Sequence, residues 1–295
     1  MRRKILCFGE VAWDRAWLLN QLPRPGLDSV ILAEYESPGG CALNSAYMLA
    51  SCHVPVVLAG NYVGSGLRGQ ALREYLLTAG VESHVVSRSE KPTPLNQCLV
   101  AQSSGERTFI LSHDGIQDYS PTLIGPILDD LSSGVFSHIF VQPYIHEGTK
   151  HLLPNVPKST WILAQEIDCN SEFLPNIDAL QLSLDEGTVF LASTITQLAS
   201  TFFRGRLREI FFTHGAHGVW YQRKDSLPRF FPAVPVDKVV DTTGCGDAFR
   251  AGLILGLFSG ATTVEAILVG LKFGALKAQT RGSHCKGLCE SHTGS

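Results

Sequence analysis

Asp241-Thr242-Thr243-Gly244-Cys245-Gly246-Asp247-Ala248-Phe249-Arg250-Ala251-Gly252 carries more chemical information than any other stretch of this chain. Gly244 and Gly246 let backbone N–H groups approach an anion closely, and the helix predicted to begin there adds its positive end. The result is an anion hole suited to a phosphoryl group in transfer. A carboxylate beside such a hole would repel phosphate, so its useful task is to accept a proton from an attacking hydroxyl. Asp247 stands at that place. An isolated Gly-x-Gly-Asp is more often a tight turn with a helix cap, so the rest of the chain decides between the readings.

Outward from this run, short apolar segments at residues 5–9, 54–59, 139–141, 161–164, 179–182 and 210–213 predict buried strands. Helical spacing covers residues 44–50, 67–79, from Gly244–Asp247 to about 258, and 264–278, with Gly80 as a C-cap. Apolar strands alternating with helices predict an α/β fold whose mainly parallel sheet is covered on both faces. Residues 29–32 predict a short strand, and residues 98–101 and 108–111 a hairpin around Ser103-Ser104-Gly105-Glu106. These do not fit the alternation and predict a small separate sheet over one edge of the core. No internal repeat or linker divides the 295 residues, so one domain is expected over 1–295.

A net charge of -3 offers no clustered basic face for nucleic acid. No apolar run reaches the length of a membrane span, and the basic start Arg2-Arg3-Lys4 lacks a signal peptide's apolar region. A cytosolic, membrane-free protein is expected. The eight cysteines have no disulfide-framework spacing and read as reduced, mostly buried side chains. His284-Cys285 and Cys289-Glu290-Ser291-His292 read as a frayed polar tail, with a metal site as the alternative.

The dozen residues from Asp241 resemble the C-terminal signature of PfkB (ribokinase-like) carbohydrate kinases, with Cys245 where that family usually has Ala, Gly or Ser. Four further segments are similar to family motifs and come in the same order. They are Gly9-Glu10-Val11-Ala12-Trp13-Asp14, as in fructokinase-like members; Pro38-Gly39-Gly40 with Asn44; Gly60 to Gly69 and the helix after it; and Thr213-His214-Gly215-Ala216-His217-Gly218. The resemblance spans about residues 5 to 280. It implies a three-layer α/β/α core with a discontinuous β lid from about 14–38 and 93–113. It also implies ATP-dependent phosphorylation of a sugar hydroxyl. Asp247 would be the general base, and the Gly244, Cys245 and Gly246 N–H groups the anion hole. Asp14, Gly39, Gly40 and Asn44 would bind the sugar, and Thr213, Gly215, Gly218 and Thr242 the nucleotide. Mg²⁺ would be held indirectly through Glu186, and K⁺ would lie at Asp241 and Thr243. The resemblance also allows a homodimer joined through the lid.

Two positions depart from the family pattern. Ser183 replaces the asparagine of the Asn-x-x-Glu motif that ends at Glu186, which weakens the expectation of ordinary Mg²⁺ use. Gly66 replaces a usual aspartate. Two other functional readings stay open. A nucleoside kinase of the same family would need an apolar slot, for which Trp13, Trp17 and Tyr35 are candidates. A non-catalytic sugar-binding relative is favoured by Ser183 and opposed by the intact Asp247 turn. Gly64-Ser65-Gly66-Leu67-Arg68-Gly69 also spells a dinucleotide fingerprint, but it does not follow the first strand and lacks the acid that should end the next one. No Walker motif and no H-E-x-x-H occurs. His113, His214 and His217 read as polar loop residues, with His214 nearest the expected nucleotide.

Overall fold

Apolar β-branched and aromatic residues alternate with helices, and the computed structural model turns that pattern into a nine-stranded sheet between helical layers. It describes residues 3–85, 87–88, 91–103, 107–112, 124–142 and 146–285. The expected turn at 104–106, His113 and the Cys289–His292 part of the tail lie outside the described residues. In chain order the elements are β1 (Lys4–Gly9), β2 (Ala12–Leu19), β3 (Ile31–Gly39), α1 (Cys41–Ser51), β4 (Val56–Gly60), β5 (Val63–Gly64), α2 (Leu67–Thr78), β6 (Glu82–Ser83), β7 (Ser87–Arg88), β8 (Leu95–Ala101) and β9 (Arg107–Ile110). Then follow α3 (Gly125–Ser132), β10 (Phe136–Val141), α4 (His146–Leu152), β11 (Trp161–Gln165), β12 (Ala179–Ser183), α5 (Ala192–Ser200), β13 (Glu209–His214), β14 (Gly218–Arg223), β15 (Arg229–Pro232), α6 (Cys245–Phe258) and α7 (Thr263–Ala278).

The main sheet runs β15-β14-β13-β12-β11-β10-β1-β4-β6. It is parallel except at one edge, where β14 and β15 pair antiparallel. Its central strands are buried on both faces, and their side chains alternate between two cores. Ile5, Cys7, Phe140, Leu163 and Phe211 pack with α1, α6 and α7. Leu6, Phe8, Ile139, Ile162, Leu180 and Phe212 pack on the other side with α3 and α5.

The segments that broke the alternation form the second sheet, in the order β3-β2-β8-β9. β2 was not expected from sequence. It begins only three residues after β1, so Asp14 lies within a strand instead of a loop beyond one. β3 is also longer than the four residues its apolar run suggested, because its second half, Glu34 to Gly39, is polar.

Six described cysteines are free thiols. Cys52, in the turn after α1, is disulfide-bonded, against the expectation of a wholly reduced set. The first residues of the expected frayed tail are packed: Cys285 belongs to the core, and the His284 ring lies 4.9 Å from Tyr47 and 5.5 Å from Tyr75.

Gly66 is the N-cap of α2, with an extended backbone and no side-chain cap. A Cβ there would meet nothing within 4 Å. The Gly66→Asp variant is therefore expected to supply the missing cap and a favourable charge, adding about 0.5 kcal/mol. Thermal denaturation should show a rise of about 1–2 °C in melting temperature.

Candidate active site

Gly244 takes a left-handed backbone conformation (φ 79°) as the N-cap of α6. A Cβ on it would lie 2.4 Å from the Ser283 carbonyl oxygen, so only glycine lets the turn close against that segment. α6 starts at Cys245, which puts Asp247 in its first turn. Asp247 is 7 % exposed. One carboxylate oxygen accepts from Asn44 Nδ2 at 2.7 Å, and the other from the Arg250 guanidinium at 2.9 Å.

Arg250 has no exposed surface. It also donates to Ser45 Oγ and Gln181 Oε1, each at 3.0 Å, and its guanidinium carbon lies 4.2 Å from the Phe140 ring centroid. Gln181 in turn donates to the Gly246 carbonyl at 3.2 Å. The arginine thus ties Asp247 to α1, β12 and β10. Sequence reasoning missed it, although the signal was present: apart from Asp247 it is the one charge on an otherwise apolar helix, amid Ala248, Phe249, Ala251 and Leu253.

A second group of carboxylates gathers where β1 passes into β2. Asn96 Nδ2 bridges Glu10 Oε1 at 2.7 Å and Asp14 Oδ1 at 3.1 Å. Burial, then the neighbouring Glu10, push the Asp14 carboxyl up to about 7. Burial also raises Glu10 above the usual carboxylate range. Gly39 and Gly40 make the close packing feasible. A Cβ on Gly39 would sit 1.9 Å from Asp14 Oδ2, and one on Gly40 (φ 98°) 2.4 Å from the Glu10 carbonyl. Asn44 Oδ1 is buried without a hydrogen-bond partner. It is an unpaired acceptor within the site.

Between this group and the turn at 241–244 lies a cleft whose lining includes Asp14, Tyr35, Ser37, Phe109, Thr243 and Ser283. The lid reaches the turn through two further contacts: Tyr35 donates to Asp241 at 3.4 Å, and Arg107 to Thr243 Oγ1 at 3.3 Å. A lid anchor forms at Glu36, which accepts from Trp13 at 2.6 Å and from Arg68 at 2.9 and 3.0 Å, and also pairs with Arg15. The hydrogen bond from Arg68, against the upward push of burial and with help from Arg15 and Trp13, holds the Glu36 carboxyl down at about 2.

The expected nucleotide segment leaves the sheet at the end of β13. Gly215 (φ 48°) and Gly218 (φ 129°) both need the left-handed region, and a Cβ on Gly215 would lie 2.0 Å from the Glu186 carboxyl carbon. Glu186 therefore folds onto the loop that contains Gly215, while Thr213 Oγ1 is tied to Leu182 at 3.3 Å. His214 and His217 hold the 183–186 segment through the Asp185 and Glu186 carbonyls, at 3.1 and 3.2 Å. Ser183 donates its N–H to Glu166 Oε1 at 2.9 Å, bringing a carboxylate that sequence reasoning did not single out. Thr242 is exposed at the start of the anion-hole turn. The Cys245 N–H is directed to the Thr242 carbonyl at 3.2 Å. Burial pushes the Cys245 thiol up to about 11, which keeps it protonated and unreactive at neutral pH.

Among the described residues, no three His, Cys, Asp or Glu side chains cluster as a metal site. Mg²⁺ that keeps several waters needs only one or two carboxylates plus phosphate oxygens. Glu186, lying on the Gly215 loop, fits that limited role.

The arrangement matches a known family. The family model described as pfkB family carbohydrate kinase matches residues 2–286. Mouse (Mus musculus) ketohexokinase is 24% identical, over 95% of this chain and 97% of its own. The ribokinase of Bacillus subtilis is 25% identical, over 90% and 89%. The solved ribokinase of Arabidopsis thaliana, complexed with ribose and ATP, superposes with a TM-score of 0.79 at 20% identity, covering 100% of both chains. No helix among the described residues is long and apolar enough to cross a membrane. The chain belongs to the pfkB family of carbohydrate kinases.

Proposed function

We propose that the enzyme transfers the γ-phosphoryl group of ATP to a sugar hydroxyl held between Asp14, Asn44 and Asp247. The observation that carries this reading is the placement of Asp247. It is a buried carboxylate clamped by Asn44 and Arg250, in the first turn of the helix whose amino end forms the anion hole. In the proposed step the substrate O–H bond breaks and its proton passes to Asp247. The freed oxygen bonds to the γ-phosphorus, and the bond from that phosphorus to the bridging oxygen breaks, releasing ADP. The N–H groups of the turn at Gly244 and Gly246, with the positive end of α6, oppose the charge that builds on the phosphoryl oxygens. Mg²⁺ would neutralise phosphate charge, held by Glu186 through water and the phosphates themselves.

On the acceptor side, Gly39 and Gly40 let Asp14 and Glu10 pack close to the substrate, and Asn44 Oδ1 is free to accept from it. Thr213, Gly215, Gly218 and Thr242 would border the nucleotide. The cleft offers hydroxyl-binding groups and two aromatic rings, Tyr35 and Phe109. Trp13 and Trp17, the other candidates for a base-stacking slot, point their ring N–H groups at Glu36 and Glu34. That favours a sugar over a nucleoside. The lid also exposes Ile31, Leu32, Phe109 and Ile110. An apolar surface of this kind supports a homodimer joined through the lid.

ATP consumption against a panel of fructose, ribose, other hexoses and nucleosides tests the reading. Turnover on a sugar is expected; turnover on nucleosides alone would replace the sugar with the alternative substrate class. In the Asp247→Asn variant the Asn44 and Arg250 neighbours remain, while the proton acceptor is lost. Its kcat should fall by about two to four orders of magnitude, with ATP binding largely kept. Near-normal turnover would remove Asp247 from the mechanism.

Asp14 makes the reaction pH-dependent. As a hydroxyl acceptor it works best ionised, so kcat/KM for the sugar should decline as pH falls through about 7. The stability effect has the opposite sign. The folded value of about 7 exceeds the unfolded value of about 3.9, so this group's contribution to stability is greatest at low pH and is lost as pH rises from about 4 to 7. A kcat/KM profile that is flat from pH 6 to 8 would remove Asp14 from sugar binding.

A further inference from the structure

Lys277 lies on α7 with none of its surface exposed. Its ammonium donates to the backbone carbonyls of Asp241 at 3.2 Å and Thr280 at 3.0 Å. Asp241 opens the anion-hole turn. Thr280 belongs to the segment after α7 that continues to Ser283, whose carbonyl presses on Gly244. The charge of Lys277 reaches Cys245, the first residue of α6. Burial pulls the Lys277 pKa below the ordinary lysine value, while Cys245, Asp241 and Cys285 oppose that pull and Arg107 adds to it.

Carbonyl oxygens facing one buried point beside an anion hole are the donor set a monovalent cation requires, and the sequence resemblance leads to K⁺ at Asp241 and Thr243. The residues present do not fit K⁺. Asp241 Oδ1 accepts the Thr243 N–H at 2.8 Å, and Oδ2 accepts the Gly282 N–H at 2.9 Å. Thr243 Oγ1 accepts from Arg107 at 3.3 Å. The Asp241 and Thr280 carbonyls already hold an ammonium. A further cation would meet the repulsion of the buried Lys277, with the exposed Arg107 adding to it.

We propose that the Lys277 ammonium is the monovalent cation of this site, tethered to the chain, and that the enzyme works without K⁺. The role given to the charge rests on the phosphoryl-transfer reading above; the occupancy of the seat does not. As a positioning residue, Lys277 holds the start of the turn against the end of α7 and sets a fixed positive charge near the amino end of α6. That charge adds to the helix end where phosphoryl charge accumulates.

The test is a thermal-melt series in tetramethylammonium, Na⁺, K⁺ and NH₄⁺ chlorides at constant ionic strength, run beside ATP-turnover assays. A cation that binds only the folded state raises the melting temperature in a saturable way. The wild-type chain is expected to melt at the same temperature in all four salts, and its turnover to be indifferent to K⁺. Lys277→Ala empties the seat. Its melting temperature should rise saturably with K⁺ or NH₄⁺, and its turnover in tetramethylammonium should drop about tenfold or more, with partial recovery in K⁺. Lys277→Ser is the second variant should the alanine chain not fold, and the wild-type melts decide the matter if neither does. A saturable, K⁺-specific rise in the wild-type melting temperature overturns the proposal. So does a folded Lys277 variant whose melting ignores every cation. The melts need no turnover, so failure of every substrate would count against the kinase reading and leave the cation proposal to be decided by the melts.

Discussion

A buried carboxyl group needs hydrogen-bond partners, and the site is built around supplying them to Asp247, which is 7 % exposed. Arg250, one turn along the same helix, supplies the opposite charge, but it is itself fully buried and must be satisfied in turn. It reaches Ser45 on α1 and Gln181 on β12, and lies over Phe140 on β10. Removing one member of such a buried pair typically costs about 3–5 kcal/mol, because the other charge is left uncompensated. The pair is therefore better understood as fixing geometry than as adding stability. It binds the start of α6 to the central strands and to α1, so that the base, the glycine turn and Asn44 keep one mutual arrangement.

The second constraint is close backbone approach. Gly39, Gly40, Gly215 and Gly244 each lie where a Cβ would collide with a site group or its supporting chain. At Gly39 that group is the Asp14 carboxylate, and at Gly215 it is Glu186. These glycines let carboxylates pack directly on the main chain. The same crowding brings Glu10 and Asp14 together, with Asn96 of the lid sheet between them. Lid and core are thus joined by polar groups at the substrate end, and by Glu36 with Arg68 at the far side. The cleft is bounded by the smaller sheet on one side and by the loops at Thr243 and Ser283 on the other.

Much of this was readable in the chain. The parallel core followed from apolar runs at strand length between helical periods, since strands buried on both faces need no polar alternation. The 241–252 run carried the glycine turn and the helix start that holds Asp247, because glycine spacing and a helix start are local properties. β2 was not legible: its sequence AWDRAWLL alternates too weakly, and its burial pattern is set by its place between β3 and β8. Arg107 and Lys277 were missed for a related reason. Each is an ordinary charged residue in its own segment and acquires a role only through contact with the turn at 241–244. The resemblance to known kinases implied K⁺ at Asp241 and Thr243, but it could not show that two backbone N–H groups engage the Asp241 carboxylate and Arg107 the Thr243 hydroxyl.

By itself, the sequence determined the fold class, the family and the glycine turn that opens the helix bearing Asp247. Each of these depends on residues close together in the chain, where spacing translates directly into geometry. Only the tertiary structure decided which distant side chains complete the site. Asn44 and Asp247 are 203 residues apart, and Arg107 and Thr243 are 136 apart, yet both pairs are in hydrogen-bond contact. Burial and the fields of distant charges likewise raise Asp14 and lower Lys277. Such effects depend on which groups the fold brings together and how much water it leaves between them, and neither is a local property of the chain.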